Sequence, residues 1–155
     1  MRRSKLGNEP SRGFYSVVGY PLASNRPDSV TRLIDVEPFC YGTYLYPGTV
    51  DDFTPGVSIV LGCRQETVTR LPEEESIRMP YLGGISGCGI WRLYGRGDRL
   101  GRLDTWNTTW ICLSGIEHCV VERKYIKGTL VRHVIALIAN VYPELQASIR
   151  LTLPA

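Results

Sequence analysis

The chain has 155 residues, 18 basic and 15 acidic, for a formal net charge of +3, and 43% of them are hydrophobic. That balance is that of an ordinary globular protein rather than a disordered chain; no run approaches the ~18 apolar residues of a membrane helix, so no membrane partner is expected. One domain is expected, burying roughly two-thirds of its unfolded surface.

Basic residues are scattered except for Arg2, Arg3 and Lys5, which read as a solvated arm over residues 1–13, so no nucleic-acid partner is expected. From there, short β-branched and apolar segments alternate with Gly, Pro and Asp punctuation, the pattern of an all-β domain. Strands are expected at Phe14–Tyr20, Thr31–Val36, Phe39–Tyr46, Val57–Cys63, Thr67–Arg70, Gly89–Tyr94, Thr109–Glu117 and Val120–Ile126. Turn chemistry separates them at 21–27, Pro47-Gly48, Thr54-Pro55-Gly56 and Gly95-Arg96-Gly97-Asp98, while Pro38 suggests an edge or a bulge. One helix is expected from Thr129 to Val141, with Leu130, Val134, Leu137, Ile138 and Val141 on one face, Thr129 as N-cap and Pro143 as the stop. The domain then spans 14–145, and the tail 146–155 alternates apolar and polar residues over Gln146–Leu153 as a further strand would.

Five cysteines, Cys40, Cys63, Cys88, Cys112 and Cys119, show no C-x-x-C pair, and no His stands at zinc-finger spacing, so neither a metal nor any other cofactor is expected. With no apolar signal core after Met1-Arg2-Arg3, free thiols point to a reducing, cytoplasmic setting. The acidic run Glu73-Glu74-Glu75 reads as a solvated loop, Arg96-Gly97-Asp98 as turn chemistry rather than an adhesion signal, and the sequon Asn107-Thr108-Thr109 as an accident.

The stretch Tyr81-Leu82-Gly83-Gly84-Ile85-Ser86-Gly87-Cys88-Gly89-Ile90-Trp91 concentrates the chemistry. A serine between glycines allows backbone N–H groups to converge beside one hydroxyl, as acyl transfer requires for a nucleophile next to an oxyanion hole. Gly84 and Gly87 can take positive φ at little steric cost.

Gly84-Ile85-Ser86-Gly87-Cys88-Gly89 resembles the nucleophile motif Gly-x-Ser-Gly-Gly of the trypsin-like (chymotrypsin-fold) serine peptidases of bacterial type. Tyr15-Ser16-Val17-Val18-Gly19-Tyr20-Pro21 looks like the strand that opens the second barrel in that family, and Trp110–Ile116 like the strand that crosses beneath the nucleophile. The resemblance covers about four-fifths of the chain. It implies a six-stranded-type antiparallel β-barrel like the C-terminal lobe of those peptidases, closed by one C-terminal α-helix. It implies Ser86 as nucleophile and the N–H groups of Gly84 and Ser86 as the oxyanion hole. Glu117, Cys119 and Val120 would line the substrate cleft, on a segment that pairs with bound peptide. Ile85 stands where the family has Asp or Asn, and Cys88 in place of the second glycine.

In that family the general-base His and its orienting Asp belong to a first barrel. Only fourteen residues precede Tyr15, too few for six strands of ~5–6 residues, so the lobe is expected to lack them. A serine hydroxyl is a weak nucleophile without an adjacent base. Two histidines exist: His133 lies on the expected helix, and His118 lies close enough in sequence to the cleft segment to form a substitute dyad with Ser86. Three readings stay open: a serine-type endopeptidase lobe acting on peptide or protein with a complementary N-terminal lobe or by self-association, a non-catalytic relative that binds peptide, or a small Ser–His hydrolase using His118.

Overall fold

The computed structural model describes residues 13–32, 34–63, 67–70, 75–93 and 111–152. Among the described residues ten strands and two α-helices follow in order: β1 (Phe14–Gly19), β2 (Asn25–Pro27), β3 (Ile34–Val36), β4 (Phe39–Thr43), β5 (Ser58–Gly62), β6 (Thr67–Arg70), β7 (Glu75–Arg78), β8 (Gly89–Leu93), β9 (Ile111–Val121), β10 (Tyr125–Leu130), α1 (Val131–Val141) and α2 (Gln146–Thr152). Six strands form one antiparallel sheet in the order β4-β1-β8-β9-β10-β5, and β2-β3 and β6-β7 are separate hairpins.

The sheet curls until its two edges meet. Tyr46 N–H donates to the Val60 carbonyl and Gly62 N–H to the Tyr44 carbonyl, both at 2.9 Å, around a bridge between Leu45 and Leu61. The chain is therefore a mostly antiparallel β protein with a barrel-like sheet, as expected. Inward positions alternate with outward ones, as in β10, where Ile126, Gly128 and Leu130 are buried and Tyr125, Lys127 and Thr129 are not. The interior gathers Tyr15, Val17, Tyr41, Ile59, Leu61, Ile90, Ile126 and Leu130 with Leu82 and Ile85 from the segment ahead of β8. Each fully buried Ile or Leu contributes about 1.5–3 kcal/mol relative to exposure.

Several boundaries differ from expectation. The segments Thr109–Glu117 and Val120–Ile126 are not two strands broken near His118: β9 runs through to Val121, and the hairpin turns at Glu122–Lys124, with Arg123 at φ 58°. What interrupts β9 at His118 is a bulge, because Lys127 pairs with Cys119 and Gly128 with Glu117. A second register shift, at Ile90/Trp91 in β8, skips Ser114. Helix α1 starts at Val131, not Thr129, because Thr129 and Leu130 still pair with Ile116 and Gly115; Leu130 is the N-cap, without a side-chain cap. The tail is the helix α2 rather than a strand, so the domain ends in two helices instead of one. The short strands β2 and β7 stand where a turn and a loop are expected.

Helix α1 is tied down at its start. Arg132 Nη2 donates to the Gly56 carbonyl at 2.5 Å, and His133 Nε2 lies 2.7 Å from the same oxygen. Beyond that turn its apolar stripe faces outward: Leu137 is 63% and Val141 59% exposed, against the expectation of a face packed on the sheet. No helix among the described residues is long and apolar enough to cross a membrane. The expected Arg96-Gly97-Asp98 turn, Asn107 and most of the acidic run lie outside the described residues.

Candidate active site

Two consecutive tight turns build the Ser86 segment. Ile85 N–H donates to the Leu82 carbonyl at 3.4 Å and Cys88 N–H to the Ile85 carbonyl at 2.9 Å, so residues 82–85 and 85–88 each close an i to i+3 turn. The third residue of each is a glycine at positive φ, Gly84 at 92° and Gly87 at 93°, while Gly83 and Ser86 ahead of them are not, the signature of type II geometry. The three-residue spacing of the glycines thus dictates the double turn.

Gly87 also enters the main sheet. Its N–H donates to the Glu117 carbonyl at 2.8 Å, and Glu117 N–H returns a 2.8 Å bond to the Cys88 carbonyl, so Gly87 and Cys88 together oppose Glu117 as a glycine-type bulge. Gly83 is held from another side, its carbonyl accepting the Leu22 N–H at 2.9 Å. The N–H groups of Gly84 and Ser86 enter none of the hydrogen bonds among the described residues, and Ser86 is exposed at the head of the second turn. Two unengaged donors beside an exposed hydroxyl are what a developing oxyanion needs.

His118 is exposed on the bulge of β9, next to the residue that holds Gly87. No hydrogen bond joins it to Ser86. His133 is half-buried at the start of α1 and engaged with Gly56.

Glu117 departs furthest from expectation. It does not stand at the rim of a cleft but points into the sheet interior with 1% of its surface exposed, and neither carboxylate oxygen has a hydrogen-bond partner among the described residues. Burial pushes its carboxyl up to about 7, and the Cys119 N–H, outside hydrogen-bonding geometry, draws it only part of the way back. Across the ladder from it is Gly128, where a Cβ would stand 2.5 Å from Ile90 Cδ1 and 2.7 Å from the Ile116 carbonyl oxygen. Burial pushes the Cys88 thiol above its ordinary 9, and the Glu117 charge adds a smaller effect in the same direction. Sequence reasoning passed over Gly128, although a glycine inside a strand signals close approach at that point.

Cys119 and Val120 are half-buried, and Val120 packs on the core. The β8 ladder with β9 stops at Ile116, and Gly87 and Cys88 continue it to Glu117. From Cys119 to Val121, β9 pairs with β10 on one edge, and among the described residues no strand occupies the other. That edge begins where the Ser86 turn ends.

Apolar side chains surround the turn: Tyr20, Leu22 and Tyr81 are 53%, 63% and 64% exposed. Leu22 lies over Gly84, where a Cβ would come 2.5 Å from its Cγ, and Tyr81 lies over Gly83. Among the described residues no three His, Cys, Asp or Glu side chains come together as metal ligands. Comparison of the chain with protein families, with curated proteins and with solved structures finds no match.

Proposed function

We propose that the chain is a serine-type endopeptidase-like domain that binds an extended peptide along the edge of residues 118–121 and presents its scissile carbonyl to Ser86. The observation that carries this reading is the junction of that strand edge with the double turn. A peptide adding as a further strand gains main-chain hydrogen bonds there, and its carbonyl oxygen meets the N–H groups of Gly84 and Ser86.

The chemistry follows from that placement. Ser86 Oγ attacks the carbonyl carbon while its proton passes to an imidazole, and the oxyanion is held by the two N–H groups. Collapse breaks the C–N bond, the imidazolium returns the proton to the departing amine, and water then hydrolyses the acyl-serine. Ser86 has no base bonded to it among the described residues, which supports an imidazole brought by a complementary lobe or a second copy. Tyr20, Leu22 and Tyr81, with the outward face of α1, give that partner apolar surface of the kind interaction sites use. The same lack of a bonded base favours, as the second reading, a relative that binds peptide without cleaving it.

Phenylboronic acid tests the turn without needing a base from the protein, because the serine oxygen adds to boron as its proton passes to the buffer, and the tetrahedral adduct occupies the oxyanion donors. Boron NMR is expected to show tetrahedral boron with the wild-type chain and trigonal boron with Ser86→Ala. Trigonal boron in both would contradict the assignment of Ser86 as nucleophile.

A further inference from the structure

We propose that Glu117 is a proton-operated latch on the Ser86 turn: uncharged, its side chain stays in the sheet interior and keeps residues 86–88 docked on β9, and on losing its proton it drives that segment open to reach water. The latch goes beyond the reading of Ser86 as a nucleophile and holds whether or not that serine reacts. Both carboxylate oxygens are buried and without a hydrogen-bond partner among the described residues. A carboxyl so placed is tolerated as the neutral acid, whereas the carboxylate loses its hydration and gains neither an opposite charge nor a donor in exchange.

The fastening of the turn fixes where the opening occurs. Ile85 and Ile90 are buried anchors, but of the residues between them Ser86 and Gly87 are exposed and Cys88 and Gly89 half-buried. Residues 86–88 are tied to β9 by the two 2.8 Å backbone bonds to Glu117, and to Ile85 by the turn bond from the Cys88 N–H. On its other edge Glu117 opposes Gly128, inside the continuous ladder that joins β9 to β10. Lifting the turn therefore breaks three backbone bonds, whereas reaching water on the other side means parting a whole strand pair. Segments held by few bonds and little buried surface are the ones that open locally.

Closed, burial holds the carboxyl up to about 7; open to water, it returns to its ordinary 4.5. Between those values opening releases a proton, so the open fraction rises about ten-fold per pH unit through the window and levels off above it, on the order of a hundred-fold in all. Other groups around the carboxyl do not replace it as the trigger. From the turn, the Cys88 thiol holds its proton above its ordinary 9. From β1, Gly19 lies against Cys88, and Tyr15 stands farther along, opposite Arg92. From β8, Ile90 is apolar, and Arg92 is opposite Cys112. From β10, Gly128 brings no side chain, and Lys127 reaches away to the Asp52 carbonyl. On β9 itself His118 is exposed, and Cys119 acts on the carboxyl only through its N–H.

Amide hydrogen exchange of the full chain, followed by NMR from pH 5 to 8 with each rate divided by the intrinsic rate of its amide, tests the latch. In wild type the opening at Gly87 and Glu117 is expected to rise about ten-fold per pH unit up to about 7 and then level off, in step with the titration of the Glu117 carboxyl carbon. At every pH it is expected to exceed the opening at Gly62, whose N–H bonds the Tyr44 carbonyl where the sheet edges meet. In Glu117→Gln the opening of the same two amides is expected not to change with pH. The wild-type profile needs no variant to fold. A flat wild-type profile, the same rise in folded Glu117→Gln, or opening at Gly62 equal to that at Gly87 would overturn the proposal.

Discussion

The carbonyl of Glu117 accepts the N–H of Gly87 and its N–H donates to the Cys88 carbonyl, both at 2.8 Å, so the residue with the buried carboxyl and the exposed Ser86 turn are fastened to each other through two backbone bonds.

Stability is expected to depend on pH through Glu117. Its carboxyl sits at about 7 in the folded chain against an ordinary 4.5, so between these values the native state holds a proton that the unfolded state has released. Stability then falls as pH rises through that window and levels off above it. Urea midpoints from pH 4 to 8 are expected to fall less in Glu117→Gln than in wild type, with the variant the more stable at pH 8. Parallel profiles for the two proteins would place the dependence elsewhere.

Gly84 and Gly87 are expected to fail differently when given a side chain. Both stand at positive φ, which costs an ordinary residue roughly 1–2 kcal/mol. At Gly87 nothing lies within 4 Å of an added Cβ, so Gly87→Ala pays only that strain; at Gly84 the Cβ also meets Leu22. Leu22→Ala is predicted to recover part of the loss in Gly84→Ala and none of it in Gly87→Ala, as read from denaturant unfolding of the double variants.

Gly128→Ala is expected to destabilise by about 1–3 kcal/mol, since the new methyl overlaps Ile90 Cδ1 and the Ile116 carbonyl in a packed interior. Ile90→Val removes that Cδ1 and on its own costs roughly 0.5–1.5 kcal/mol. Thermal unfolding of the pair should give a combined loss smaller than the sum, because the two sites touch. Strict additivity would mean that the backbone oxygen alone limits the space.

The five cysteines are free, and they should react with a thiol reagent in order of access. Cys40 is exposed, its Sγ 2.9 Å from Ser16 Oγ, and is expected to be modified first. Cys63 and Cys112 are buried, and burial followed by the Glu122 charge raises the Cys63 thiol further. Mass spectrometry of partly labelled native chain would show this order; early labelling of Cys63 would contradict the packing around it.

Much of the turn was legible in the sequence, because glycines three residues apart around Ser86 permit little besides a pair of turns with positive φ at their third positions. The strands β1 and β8 were legible from their apolar and β-branched content between turn residues, whereas β10, at Tyr125–Leu130, runs past the expected Val120–Ile126 into the start expected for the helix. What escaped was the direction of Glu117. Two bulges in one strand, at Ser114 and His118, break the alternation from which facing is read, and a bulge leaves no mark in composition. The late start of α1 escaped because Thr129 is acceptable both as a cap and as a strand residue, and cross-strand pairing with Ile116 decides between them. The hairpin at Glu122–Lys124 carries no Gly or Pro, and Arg123 takes the left-handed conformation that sequence punctuation assigns to glycine.

Labelling of the purified chain by a fluorophosphonate, with and without added imidazole, tests most directly whether Ser86 is an acyl-accepting residue awaiting its base. Phosphonylation of Ser86 that requires imidazole, is lost in Ser86→Ala and is unchanged in His118→Ala is the predicted result. Labelling without imidazole that disappears in His118→Ala would place the base inside the chain, and no labelling of the folded chain under either condition would contradict the nucleophile itself.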